Sequence, residues 1–209
     1  VEWHDGARNW QGSGMYVDSL NIKGSVDGEN ICTADLFGMA LATAAKTGAL
    51  THRVPVVFEG WESKLYIDSF GGTAGSTAKD DLLIDWDVTI KNKLGRKYTA
   101  ANTLTPSALP MGELEIDAKL TIEAQEAQAA TEYANWDAVT KRLLRLEFGN
   151  NLAISGGSLK ETVQIDLPGA WSAVDLGGSG EGTRTYQLSY QYIYDPTNTF
   201  GVQVKVITA

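Results

Sequence analysis

The stretch GELEIDAKLTIEAQ, Gly112 to Gln125, alternates without a break. Leu114, Ile116, Ala118, Leu120, Ile122 and Ala124 are apolar, and every residue between them is polar. Period-two patterning over this length specifies a strand with one packed and one solvated face. Such strands belong to antiparallel sheets, because the strands of parallel sheets are covered on both sides. A second run repeats the pattern: Ile84, Trp86, Val88 and Ile90 alternate with Asp85, Asp87, Thr89 and Lys91. The two share the spacing IDxxxTI, as neighbouring strands in like surroundings would. The wet face of the first run sets Glu113, Glu115, Asp117 and Glu123 against Lys119 alone.

Further strands are expected in YVDSLNIKGSV, with a hairpin turn at Asp27-Gly28, and in RVPVVFEGW and SKLYIDSF. LLRLEF, ETVQIDL, TRTYQLSYQYIYD and FGVQVKVIT complete the set, with turn chemistry at Asp195-Pro196-Thr197-Asn198. NTLTPSALPMG, with two prolines, reads as a connection. The main helix is expected around 129–141, with Tyr133 and Trp136 turned toward the sheet. A second, alanine-rich helix is predicted after an N-cap at Asp35, ending at Gly48.

The expected architecture is mainly β: an antiparallel sandwich or half-barrel flanked by one main helix. Residues 1–15 read as an extended N-terminal arm and 16–209 as a single domain. The tryptophans of the arm, Trp3 and Trp10, dock either on a neighbouring subunit or on the chain's own core. The Gly/Ser/Thr-rich segment 70–81 reads as a long, exposed and mobile loop. Its composition gives little reason to pack on its own domain, so Gly72, Thr73, Ser76 and Lys79 are candidate inter-subunit contacts.

The net charge of −9 opposes tight binding to nucleic acid or anionic lipid, which rests on Lys and Arg. One cysteine, Cys32, allows no intrachain disulfide and is expected to be a small buried hydrophobe. No apolar run approaches the roughly 20 residues of a membrane-spanning helix. The chain opens at Val1 without a methionine, as a trimmed or partial chain would, and without a signal-peptide pattern.

Catalytic chemistry finds little footing. His4 and His52 sit in an apparent arm and a turn, away from any obvious nucleophile, and no P-loop, GxSxG or HExxH spacing occurs. Asp80, Asp81, Asp85 and Asp87 match no calcium-loop spacing and read as a solvated acidic face. No enzyme activity, cofactor or metal is expected. The tryptophans and tyrosines leave a carbohydrate-binding β-sandwich as an alternative, although Trp86 and Trp136 sit on faces expected to be core.

The C-terminal half carries a resemblance. WDAVTKRLLRLEFGNN, VQIDLPGAW, EGTRTYQLSYQYIYDP and VQVKVITA, in that order and spacing, resemble the major tail tube proteins of long-tailed bacteriophages. The likeness covers roughly 82–209. It implies a β-sandwich or half-barrel with a flanking helix, and hexameric rings stacked into a hollow tube. It also implies a virion tail assembled in the host bacterial cytoplasm. Other tail proteins would be partners. A tape-measure protein, then genome DNA, would pass through the lumen without tight binding. Under that resemblance Glu113, Glu115, Asp117, Lys119 and Glu123 line the lumen, joined by Asp85 and Asp87; the alternative is that this face points outward and serves solubility. The wall would be negative and would repel DNA phosphate. Another virion component, at the tail tip or as decoration, is the nearer alternative to the carbohydrate module.

Overall fold

The computed structural model describes residues 1–45, 47–48, 57–79, 82–100, 106–124, 126–153, 160–178 and 184–207. The elements are β1 (Glu2–His4), β2 (Asn9–Ser13), β3 (Tyr16–Ser25), β4 (Ile31–Phe37), β5 (Ala40–Thr43), β6 (Lys64–Ser69), β7 (Leu83–Lys91), β8 (Glu115–Glu123), α1 (Glu126–Asp137), β9 (Arg142–Ala153), β10 (Lys160–Gly178), β11 (Arg184–Tyr192) and β12 (Gln203–Ile207). A three-stranded sheet runs β1-β2-β5, and a larger one runs β4-β3-β7-β8-β11-β10-β9-β6, with β12 also on β10. The fold is mainly β and antiparallel, with one α-helix among the described residues. The strands with IDxxxTI spacing, β7 and β8, are neighbours.

The chain divides into two compact units, Val1–Asn21 with Thr33–Pro55 and Ile90–Glu115, and Ile22–Cys32 with Val56–Thr89 and Ile116–Ala209.

In the second unit, alternation becomes burial. Ile116, Ala118, Leu120 and Ile122 of β8 are buried, as are Leu144, Leu146 and Phe148 of β9. Trp86 stacks on Phe148 at 5.8 Å, and its indole N–H donates to Asn30 Oδ1 at 3.0 Å. The long β10 pairs with β9 and β12 along its first half and with β11 along its second. Gly169 belongs to both ladders, and there a Cβ would meet the Gln191 carbonyl oxygen at 2.1 Å. Only glycine lets the backbones approach so closely. Trp171 packs edge-on against Tyr190 at 5.0 Å. The Tyr190 hydroxyl donates to the Arg142 and Leu167 carbonyls, and burial holds it protonated well above the usual tyrosine range.

Four buried carboxylates hold this unit together. Asp166 takes a bidentate grip from Arg145, its direct cross-strand partner, at 2.6 and 2.8 Å. Asp195 anchors the expected turn by accepting from the Thr197 and Asn198 N–H groups and the Asn198 amide. Asp68 accepts the N–H groups of Gly75, Ser76 and Thr77. Glu132, 5% exposed, accepts the Trp171 indole N–H at 2.7 Å.

Two of these correct the sequence expectations. The helix turns Glu132 inward and leaves Tyr133 50% exposed, with Trp136 half-buried. Position 132 wins because the indole across from it needs an acceptor. The loop 70–79 is not free either. Asp68 pins its middle, and Ile67 N–H to Thr77 and Lys79 N–H to Leu65 add it to β6 as an edge segment.

The first unit is thinner. Its N-terminal segment is the β1–β2 hairpin, with Trp3 paired to Trp10, rather than a lone extended arm. Asp5 caps the turn through the Ala7 and Arg8 N–H groups. The alanine-rich run after Asp35 enters strands β4 and β5 instead of a helix, since the pairing of β5 with β2 outweighs the helical propensity of the alanines. Cys32, expected to be buried, is exposed because β4 exposes every residue before Phe37. Residues 51–56, which include His52 and the start of RVPVVFEGW, lie outside the described residues. Glu59-Gly60-Trp61-Glu62 turns as a 3-10 segment rather than continuing a strand.

Candidate functional site

The acidic face of β8 is built as its spacing requires. Asp117 and Lys119 are exposed and Glu115, Thr121 and Glu123 half-buried, with every intervening side chain buried. Register sets Gln191 opposite Asp117, Ser189 opposite Lys119, Gln187 opposite Thr121 and Thr185 opposite Glu123. The β11 row therefore extends the polar face without adding charge. On β7, Asp87 is exposed and Asp85 half-buried. Glu113 is exposed just before β8.

Glu115 behaves differently from its fellows. Lys91 Nζ lies 2.7 Å from its Oε1, and Lys93 binds Oε2. Hydrogen bonds from Lys91 and then Lys93 bring its carboxyl down to about 2. These lysines outnumber the carboxylate they hold, so this end of the run is less negative than the strand alone suggests. The signal is absent from GELEIDAKLTIEAQ because both lysines lie more than twenty residues before Glu115.

The other candidates separate. The Trp10 indole donates to Asp5 at 2.6 Å, and that bond, with the Ala7 and Arg8 N–H groups, lowers Asp5 to about 2. Trp3 shares the hairpin through its backbone register. Gly72 donates to the Ser69 carbonyl and its own carbonyl accepts the Asn198 amide. The Ser76 hydroxyl donates to Thr73 at 2.9 Å. Thr73 and Ser76 keep exposed side chains, while Lys79 is half-buried. Among the described residues no group of His, Cys, Asp and Glu forms a metal site.

Residues that sequence reasoning missed lie on exposed apolar surface. Leu36 is 49% exposed and Leu41 58%, with Tyr16, Val17 and Met111 also open to solvent. All belong to the first unit, whose described buried hydrophobics are Phe37 and Ile90 alone. For Leu36 and Leu41 the alanine-rich composition of the run, which favours a helix, masks the exposed strands.

No known protein family matches the chain, and no functionally characterised protein was found to match it.

Proposed function

We propose that this chain is a structural, self-assembling subunit of a tube of the kind built by major tail tube proteins. The observation that carries the proposal is the exposed apolar surface of the first unit. A unit whose described residues bury little beyond Phe37 and Ile90 while exposing Leu36, Leu41 and Tyr16 gains stability when a neighbouring copy covers it. Strand β4 stands at the end of the larger sheet's order among the described residues, and the end of a sheet is where a further strand can add. The mainly β, antiparallel fold with one α-helix among the described residues is of the class that the sequence resemblance implies.

In this reading rings stack into a conduit, and the face carrying Asp117 and Glu123 turns to the lumen. Carboxylates there repel phosphate and let DNA pass without holding it. Lys91 and Lys93 concentrate that repulsion away from Glu115.

Negative-stain microscopy of the purified chain tests the reading. Rings or tubes are expected, and a Leu36→Asp, Leu41→Asp double variant should abolish them while keeping the far-ultraviolet circular dichroism of the parent. Monomers at every concentration would contradict it, and monomers that bind glycans would favour the carbohydrate module instead.

A further inference from the structure

All three methionines of the chain, Met15, Met39 and Met111, fall in the first unit. Two of them are seated. A Cβ at Gly38 would meet the Met15 Sδ at 2.7 Å, and one at Gly14 would meet the Met39 Cγ at 2.9 Å. Each of these side chains lies against backbone where only glycine leaves it room, and both residues are half-buried. Met111 is 78% exposed, more than any other large hydrophobic residue described.

The backbone around Met111 is held. Met111 pairs with Leu94, the Gly95 N–H donates to the Pro110 carbonyl at 2.9 Å, and the Gly112 N–H donates to the Lys93 carbonyl at 3.1 Å. The partner segment is bonded in turn to β3. The Asn92 N–H donates to the Asp18 carbonyl, the Asn92 amide to the Val17 carbonyl, and the Leu94 N–H to Asp18 Oδ1. Hydrogen bonds thus tie the segment carrying Met111 to the strand that exposes Tyr16 and Val17. These residues belong to the unit whose apolar surface a neighbouring copy would cover.

We propose that Met111 is a reversible oxidation site, and that its sulfoxide weakens the association of one copy with the next. The oxidant is a hydroperoxide. The sulfur lone pair attacks one peroxide oxygen, the O–O bond breaks, an S–O bond forms, and the remaining oxygen leaves as water or an alcohol. Sulfur is oxidised by two electrons and the peroxide is reduced by two. A dithiol reverses the step through a reductase, releasing the oxygen as water and closing to a disulfide. The thioether is apolar and pliable, which suits a surface that must fit a neighbour, whereas the sulfoxide is polar and chiral and spoils that fit. The oxidation itself needs only the exposure of Met111. Its consequence rests on the assembly reading.

Treatment of the purified full chain with hydrogen peroxide tests both parts. Peptide mass spectrometry follows the sulfoxide at each methionine, and sedimentation velocity follows self-association. Met111 should oxidise several times faster than Met15 and Met39, and its oxidation should weaken self-association about tenfold or more. Methionine sulfoxide reductases for both epimers, with dithiothreitol, should restore it. Met111→Leu, which keeps the bulk and lacks the sulfur, should assemble like the parent and go on assembling after peroxide. Met111→Gln should assemble poorly without any treatment, and both variants should keep the circular dichroism of the parent. Oxidation of Met15 or Met39 as fast as Met111 would overturn the site. Unchanged assembly with Met111 fully oxidised, or a Met111→Leu variant as sensitive to peroxide as the parent, would overturn the switch and leave the assembly reading standing. An untreated parent that stays monomeric would overturn the assembly reading and the switch with it, and the order of oxidation would then decide the site alone.

Discussion

The two units share one sequence style and differ in what they do with it. In the second, alternating strands converge on side chains such as Leu65, Leu144, Leu146 and Ile165, each 0% exposed. In the first, β4 leaves Leu36 at 49% and β5 leaves Leu41 at 58% exposed. Polar groups follow suit. The second unit buries Asp68, Asp166 and Asp195 with full sets of donors. The charged contacts of the first are shallower, Asp5 with Trp10 exposed and Glu115 with Lys91 half-buried. One unit is stabilised from within. On the assembly proposal, the other gains stability when a neighbouring copy covers it.

The largest expected contrast is in core truncation. Phe148→Ala, at a 2% exposed site, should cost about 3–5 kcal/mol in chemical denaturation. Leu41→Ala, at an exposed one, should change the stability of the unassembled chain by less than about 0.5 kcal/mol. Similar costs at both sites would erase the distinction between the units.

Next comes the buried acceptor. Glu132→Ala strands the Trp171 indole N–H and should cost about 2–3 kcal/mol. Tyr133→Ala, one residue away on the exposed face, should cost far less. The reverse order would mean that the helix is rotated.

The smallest effect concerns acid. Desolvation alone would raise the Asp195 carboxyl, but the Asn198 amide and the N–H groups of Thr197, Asn198 and Gly71 outweigh it and hold it below its ordinary 3.8. A lowered folded-state value means that its stabilisation is complete above about pH 4 and is lost as the pH falls through the folded value. Glu115 is lowered from 4.5 to about 2 by Lys91 and Lys93, so its contribution fades over that interval. As an exposed ion pair it contributes little. Asp195→Asn should therefore flatten the acid limb of a stability–pH curve more than Glu115→Gln does. A larger effect from Glu115→Gln would reverse the assignment.

The sequence was most legible where structure is local. Period-two alternation identified β7 and β8 and their buried faces, and Asp195-Pro196-Thr197-Asn198 identified its turn. Legibility failed where a distant partner decides. Tyr133 reads as the inward helix residue until Trp171, 38 residues on, demands an acceptor at 132. The segment 70–79 reads as a loose loop because its glycines and serines bury nothing, yet the Asp68 carboxylate binds three of its backbone N–H groups. The alanines after Asp35 have a helix former's composition, but β5 pairs them to β2. Of the candidate site, the alternation of the acidic face was readable, and the neutralising lysines beside Glu115 were not.

Hydrogen–deuterium exchange at two protein concentrations tests the division of labour most directly. At dilution the amides of Leu144, Leu146 and Ile165 should be protected, while those of Leu36 and Leu41 exchange quickly. At concentrations where rings or tubes appear, protection should rise strongly at Leu36 and Leu41 and hardly change in the second unit. Strong protection of Leu36 and Leu41 in the dilute monomer, or assembly that leaves them unprotected, would contradict the account.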